Sequence, residues 1–338
     1  MKRKAQPTGD FSKLFSTPAQ QAASHVRWYQ ERLKGNGITW GIPCIDRKVI
    51  PARPPEVISV LGRPGHGKSS VLAMLAMKHA ERIKDTTDAN GRKNVAVYVT
   101  WETGVEDLVT MFYATEGQFS ASDVYWGRVP LAEIQKVAMK WPARTGNSLY
   151  IVGHGMNTTG LKLPRMTTEA VYSAIERMGE DYNVTPTALF MDYLQLIPIE
   201  RGSSRAEQVE EAMTNVKELA RRIGCIAFLG VQAKREVDLR DWKVPQKLDA
   251  WYSSATEHTS DKMFGIWRPW LTDRDKGYIK MRMDDGQERA VRVTPELCIL
   301  EMTKQRGGEG VARWVLNFAP QYLRIAEMEL VKAAPPQR

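Results

Sequence analysis

The stretch Gly62-Arg63-Pro64-Gly65-His66-Gly67-Lys68-Ser69 reads G-x-x-x-x-G-K-S and stands between the apolar run Glu56-Val57-Ile58-Ser59-Val60-Leu61 and a helical pattern from Ser69 to Ile83. Strand, glycine-rich loop and helix in that order make a phosphate cradle. Its glycines permit a tight backbone turn, and the N-terminus of the following helix faces the anion. The expected contact set is Gly62, Arg63, Pro64, Gly65, His66, Gly67, Lys68, Ser69 and Ser70. Backbone N–H groups of Gly65 to Ser69 are expected to wrap the phosphates of a nucleoside triphosphate. The Lys68 ammonium would neutralise β/γ charge, and the Ser69 hydroxyl would ligate Mg²⁺.

Outward from this loop, strand-like runs alternate with helical ones. Strands are predicted over 56–61, 94–101, 148–153, 187–194 and 225–232, with helices over about 70–83, 104–116, 130–139, 167–181 and 205–223. This alternation predicts an α/β fold with a mainly parallel sheet covered on both faces. After residue 260 only strands are predicted, at 263–267, 278–283, 297–303, 313–318 and 322–325, so the sheet is expected to end in antiparallel hairpins. Before the core, residues 1–17 read as a disordered basic arm. Thr17 and Pro18 then form an N-cap and N1 pair for an amphipathic linker helix over 18–34, with Ala22, Val26, Tyr29 and Leu33 on one stripe. The ATPase domain is expected over 35–328 and a flexible tail over 329–338.

Three polar residues stand at the ends of predicted parallel strands, the edge where ligands sit in such sheets. Asp192 closes the apolar run Ala188-Leu189-Phe190-Met191 and is the candidate for holding a water on Mg²⁺. Glu102, just past the second strand, is the candidate base for orienting an attacking water, or else a cap for the helix near Gly104. Gln232 is the candidate γ-phosphate sensor, or else a surface amide.

Composition sets bounds. The 338 residues are 43% hydrophobic, enough for one large core, and Lys+Arg of 48 against Asp+Glu of 39 gives a net charge of +9, which suits a polyanionic partner without identifying one. Cys44, Cys225 and Cys298 are far apart, with no CxxC spacing and no clustering with the five histidines, so neither disulfides nor a zinc site is expected. No apolar run follows Met1-Lys2-Arg3-Lys4, and none elsewhere approaches about 20 residues, so neither export nor membrane insertion is expected and the location is expected to be cytoplasmic.

The phosphate loop, Glu102 in Thr100-Trp101-Glu102-Thr103, the string Met191-Asp192-Tyr193-Leu194-Gln195-Leu196, Gln232 followed by Arg235, and Lys304-Gln305-Arg306 together resemble, in order and spacing, the C-terminal motor domain of DnaB-type replicative helicases. The resemblance runs from about residue 35 to 326. It implies a RecA-like fold that binds ATP, with Lys68 and Ser69 on phosphate and Mg²⁺, Glu102 as catalytic base, Asp192 on Mg²⁺ and Gln232 as γ-phosphate sensor. It also implies that Lys304 and Arg306 reach the nucleotide of a neighbouring subunit, so that the protein works as a homo-oligomeric ring, a hexamer, on single-stranded DNA with 5′ to 3′ polarity. A loader or primase is the further partner implied. Only residues 1–34 precede the core, so a motor without the family's N-terminal collar is expected. At Trp251-Tyr252-Ser253-Ser254 the family usually has an Arg-Glu-Ser-Gly-like stretch.

Chemistry supports the pair independently: an arginine finger stabilises charge on the transferred phosphoryl group and is worth roughly 10³ to 10⁵ in rate. Lys304 and Arg306 alternate with Gln305 on a predicted strand and so point to one face. Candidate DNA contacts are Arg201, Gly202 and Arg205 after the Asp192 strand, and Lys234, Arg235, Arg240 and Lys243 after Gln232. Trp242, Trp251 and Tyr252 are aromatic candidates for stacking on bases. A RecA-like, ATP-switched DNA-binding assembly, or a loader or regulatory ATPase of a mobile element or defence system with little unwinding, stays open beside the helicase.

Overall fold

The computed structural model describes residues 15–35, 37–199, 204–251, 253–282, 287–308 and 311–328. Arg201, Gly202, Tyr252, Met283, most of the expected arm and the expected tail lie outside them. The chain divides into two compact units, Met1–Ile38 and Thr39–Arg338.

In the first unit, α1 (Pro18–Leu33) begins as the sequence predicts. Thr17 Oγ1 accepts from the Gln20 N–H at 3.3 Å, and Gln20 Oε1 accepts from the Thr17 N–H at 2.8 Å, a reciprocal capping box. Proline at N1 is preset for the first turn. Val26, Tyr29 and Leu33 on the apolar stripe are exposed.

The second unit runs α2 (Pro43–Asp46), β1 (Val57–Gly62), α3 (Lys68–Ile83), β2 (Lys93–Thr100), α4 (Val105–Gly117), α5 (Ala121–Tyr125), α6 (Leu131–Thr145), β3 (Leu149–Val152), α7 (Thr168–Tyr182), β4 (Val184–Asp192), α8 (Arg205–Ile223), β5 (Ile226–Gln232), α9 (Ser253–Thr259), β6 (Lys262–Trp267), α10 (Trp270–Asp273), β7 (Tyr278–Arg282), β8 (Glu288–Arg292), β9 (Leu297–Gln305), β10 (Ala312–Ala319) and β11 (Arg324–Glu327). Nine strands form one sheet in the order β11-β10-β9-β6-β1-β5-β4-β2-β3. The six from β6 to β3 are parallel, and β9, β10 and β11 add antiparallel strands. This is the expected RecA-like α/β architecture.

The parallel strands are continuous apolar runs because helices cover both faces: every residue of β1 is buried. On α8 the apolar stripe Val209, Met213, Val216 and Ala220 is buried against the sheet, each large side chain contributing about 1.5–3 kcal/mol by leaving water. Hairpin β7–β8 makes a satellite core, with Ile279, Met281 and Val291 packed on Trp267, Leu297, Ile299 and Val315.

Three boundaries differ from the sequence reading for physical reasons. Strand β4 begins at Val184, earlier than the predicted Thr187, although Pro186 lies inside it. A register shift opposite Val95 and Ala96 leaves Thr187 unpaired and accommodates the proline, which cannot donate to the ladder. Helix α6 continues through Pro142 to Thr145, beyond the predicted 139, because Trp141 stacks on Phe112 of α4 with ring centroids 5.4 Å apart. The last strand starts at Arg324 rather than Tyr322, since Pro320–Tyr322 is a 3₁₀ turn and Leu323 takes φ 45.

Candidate nucleotide site

Four parallel strands deliver their ends to one edge of the sheet. Gly62 is in register with Gln232, and Thr100 with Asp192. With neighbouring strands about 4.8 Å apart, β1, β5, β4 and β2 set the phosphate loop, Gln232, Asp192 and the Thr100–Glu102 turn side by side. A cleft of about 270 Å³ opens there, lined by Pro64, Gly65, Gly67, Lys68, Ser69, Ser70, Glu102, Tyr193 and Gln232.

The loop holds its shape by packing as well as by glycine. Gly67 is the α3 N-cap with φ 96, a conformation that disfavours any side chain, and a Cβ there would lie 2.4 Å from Phe318 of β10. Gly62, Arg63 and His66, expected among the ligand contacts, do not line the cleft. Arg63 turns outward along the loop, donating to Asp238 Oδ2 at 2.8 Å and to the Ala233 carbonyl at 3.1 Å. Buried His66 accepts the Arg268 N–H on Nδ1 at 3.0 Å, and burial pushes its pKa down to about 4, so the ring is neutral. These two side chains brace the loop against the segments after β5 and β6.

Lys68 is buried beneath the loop and donates to the Arg63 carbonyl at 3.2 Å. Burial lowers its pKa to about 8, and the carboxylates of Asp192 and Glu102 work against that shift. Asp192 is fully buried. Burial raises its pKa, while the Ser69 hydroxyl, the Lys68 ammonium and Tyr98 favour the carboxylate. Tyr98 donates to its Oδ2 at 3.3 Å. Its Oδ1 has no protein partner among the described residues. A buried carboxylate oxygen with a capacity to spare, next to a serine hydroxyl, fits a hard cation that prefers oxygen and keeps several waters. A Mg²⁺ brought in with phosphates meets that description.

Glu102 is exposed and lines the cleft. The α4 N-cap is Gly104, with no side-chain cap bond, so the helix-cap alternative for Glu102 is not what the structure shows. Thr100 shapes the turn, its hydroxyl donating to the Thr103 carbonyl at 2.8 Å and accepting the Thr103 N–H at 3.0 Å. Gln232 is half-buried at the opposite wall. Its backbone is clamped by Gln195, which accepts the Gln232 N–H at 3.1 Å and donates to the Gln232 carbonyl at 3.3 Å.

Residues 37–327 of the chain, which include the cleft, match a family model described as DnaB-like helicase C terminal domain. The chain belongs to that family. Its DnaB-like core is similar to the replicative DNA helicase DnaB of Rickettsia bellii (strain RML369-C), 24% identical over 331 residues, covering 94% of this chain and 63% of the relative. The corresponding protein of Rickettsia typhi (strain ATCC VR-144 / Wilmington) is 24% identical over 263 residues, covering 76% of this chain and 50% of its own length. The chain thus spans about half to three-fifths of the length of these curated relatives. Among solved structures, one ATPase domain superposes with a TM-score of 0.70 at 17% identity, covering 96% of this chain and 100% of that one. A DnaB-like replicative helicase, solved for its interactions with primase, gives 0.68 at 18% identity, covering 93% and 68%. These likenesses show the fold.

Lys304 and Arg306 lie away from this DnaB-like cleft. Gln305, between them, pairs with Lys262, and Lys262 with Ile58, near the start of β1. Four residues of strand, about 13 Å, separate that level from Gly62. The pair therefore sits toward the opposite end of the parallel strands from the chain's own phosphate loop. Gln305 turns inward, accepting the Ile50 N–H at 2.8 Å.

The basic loops are less open than the sequence suggests. Lys243 is buried, its ammonium 2.6 and 2.7 Å from the two oxygens of Asp273. Arg240 makes a bidentate pair with Asp249 at 2.7 and 2.6 Å. Arg205, at the start of α8, donates to the Gln195 carbonyl at 2.8 Å. Lys234 donates to the Leu248 carbonyl at 3.2 Å, and Arg235 is exposed. Lys234 and Arg235 line a separate hollow of about 740 Å³ with Glu210, Glu236 and Trp251. Trp242 is half-buried, donating to Glu301 at 3.0 Å and packed edge-on against Trp267. Sequence reasoning missed Tyr98, Gln195 and Asp261. A tyrosine two residues before the edge of an apolar strand was the one signal for the first; the others act through folded geometry alone.

Among the described residues no helix is long and apolar enough to cross a membrane, and no three His, Cys, Asp or Glu side chains cluster as metal ligands.

Proposed function

We propose that this chain is an ATP-hydrolysing motor of a ring-forming DNA helicase that translocates 5′ to 3′ on single-stranded DNA. The domain reading that goes with it is an N-terminal arm over 1–17, a linker helix over 18–34, the motor over 35–328 and a tail over 329–338. The observation that carries it is the split of one catalytic set between two ends of the sheet. Lys68, Ser69, Glu102, Asp192 and Gln232 gather at the cleft, while Lys304 and Arg306 stand toward the other end. Such a set is completed when the Arg306 end of one subunit meets the cleft of the next, and repetition of that head-to-tail contact closes into a ring.

The chain's own groups divide the work. Backbone N–H groups of Gly65 to Ser69 wrap the phosphates, and Lys68 neutralises β/γ charge. Ser69 and Asp192 would hold a Mg²⁺ arriving with the nucleotide, and that ion would offset the phosphate charge. Glu102 polarises and orients the attacking water. Gln232 contacts the γ-phosphate and passes its loss to the loop carrying Lys234 and Arg235, the exposed or half-exposed cations proposed to follow the DNA backbone. A loader or a primase is the further partner this reading proposes.

The test is ATP hydrolysis with and without single-stranded DNA, with the oligomeric mass recorded in the same samples, followed by unwinding of forked substrates with a 5′ or a 3′ tail. DNA-stimulated turnover in a species of about six subunits and unwinding from the 5′ tail support the proposal. Stimulated turnover without unwinding transfers support to an ATP-switched assembly or loader. A monomer indifferent to DNA overturns the motor reading in favour of a partner-controlled ATPase.

A further inference from the structure

Lys304 and Arg306 are not loose side chains: a small bracket holds both. The Lys304 ammonium donates to the Glu257 carbonyl in α9. The Arg306 guanidinium donates through Nη2 to the His258 carbonyl, also in α9, at 3.0 Å. Carbonyls in the last turn of a helix lack intrahelical partners and carry partial negative charge, so they suit two cations. The third member of the bracket is Asp261, 7% exposed. Its carbonyl accepts the Arg306 N–H at 3.0 Å, and its Oδ1 lies 3.3 Å from Arg306 Nη1.

Asp261 is itself pinned. Its Oδ2 accepts the Val57 N–H at 2.8 Å, at the start of β1, and the Lys217 ammonium from α8 at 2.6 Å. Lys217 also donates to the Pro55 carbonyl at 2.9 Å, which fixes the ammonium in place. Two cations thus share one carboxylate. Lys217 and Asp261 balance each other, so Arg306, held at the longer distance, keeps a net positive charge and a side chain 60% exposed. A carboxylate with no second cation would instead cancel the charge that Arg306 offers.

We propose that Asp261 is a positioning residue for Arg306. Pinned by Lys217 and the Val57 N–H, it orients the guanidinium with the last turn of α9 and leaves its charge available to an anion outside the subunit. This rests on the proposed trans action of Arg306, and identifies that anion as the nucleotide phosphate of the neighbouring subunit. No bond is made or broken at Asp261. Its effect is geometric and electrostatic, and it belongs to the subunit that supplies the finger.

Mixed assemblies of two full-length variants test this. Lys68→Ala protein lacks its own nucleotide grip but supplies Arg306; Arg306→Ala protein holds nucleotide but supplies no finger. Their mixture, with co-assembly verified by mass, is expected to recover ATPase activity. Asp261→Asn is then placed in one partner at a time. In the Lys68→Ala chain it is expected to lower the complemented kcat by roughly tenfold or more, the scale of one charge-assisted hydrogen bond, with KM unchanged. In the Arg306→Ala chain it is expected to leave kcat within about twofold, the range of a neutral change. Equal loss in both chains, or loss in neither, overturns the inference while leaving trans action intact. A co-assembled mixture with no activity overturns trans action itself. Lys217→Met is a second variant, which keeps the Asp261 carboxylate and removes only its other cation. By leaving Arg306 to balance Asp261 alone, it is expected to produce the same chain-specific loss, and a loss in both chains overturns the inference.

Discussion

Tyr98 donates its phenolic hydrogen to Asp192 Oδ2 at 3.3 Å, and both side chains are fully buried on adjacent strands. Burial raises the Asp192 pKa, and Ser69, Lys68 and Tyr98 oppose that shift by favouring the carboxylate. Tyr98→Phe removes one donor and little volume. It is expected to cost about 1–2 kcal/mol of stability and to raise the Mg²⁺ concentration needed for half-maximal hydrolysis. Chemical denaturation and a Mg²⁺ titration of turnover check the two effects separately.

Burial lowers the Lys68 pKa to about 8, against 10.5 when solvated. Its folded pKa is lowered, so between those values the unfolded chain binds the extra proton and stability rises with pH across about 8 to 10.5. Phosphates require the ammonium form and pull the proton back on. Nucleotide binding at pH 8 to 9 is therefore expected to take up protons and to weaken above that window. Calorimetry in buffers of different ionisation enthalpy reads the uptake, and Lys68→Ala should abolish it along with tight binding. Glu102→Gln is expected to leave ATP bound while turnover stops, as single-turnover hydrolysis against equilibrium binding will show.

Two histidines buried as neutral rings make the fold sensitive to acid. His66 titrates at about 4 and His79 at about 3, both lowered first by burial. The unfolded chain takes up their protons near 6.5 while the folded chain refuses them, so stability falls as pH drops from about 6.5 toward 4. The slope is at most about 1.4 kcal/mol per pH unit per histidine. Denaturation midpoints measured across that range should flatten in His66→Gln and His79→Gln variants.

Gly67→Ala meets two independent obstacles, the positive φ and the contact with Phe318. It is expected to abolish nucleotide binding and to destabilise by more than about 1 kcal/mol. Phe318→Ala in the same chain relieves only the contact, so binding should stay impaired in the double variant, as measured with a fluorescent nucleotide.

Lys243 and Arg235 look alike in sequence and differ in place. Lys243→Ala removes the nearest cation from buried Asp273, which keeps Lys276 at 2.7 Å, and is expected to cost about 1–3 kcal/mol of stability. Arg235→Ala, at an exposed site, should change stability by less than about 0.5 kcal/mol. Its effect belongs to DNA affinity, where the log–log salt slope is expected to fall by about 1. Thermal melts and DNA titrations at several salt concentrations separate them.

The sequence by itself determined the phosphate loop, the alternation that makes a parallel sheet and the α1 cap, because each depends on residue types a few positions apart. Backbone freedom at glycine, apolar periodicity and side chain-to-backbone capping act locally and leave local signatures. Only the tertiary structure decided which polar groups work together. Lys243 became half of a buried ion pair because α10 brings Asp273 beneath it. His66 and Arg63 became braces of the loop because β6 and the segment after β5 end beside it. Asp261 acquired Arg306 and Lys217 from distant parts of the chain, through the pairing of β6 with β9 and the packing of α8. Charge and hydrogen bonding depend on distance through space, and the fold alone sets that distance.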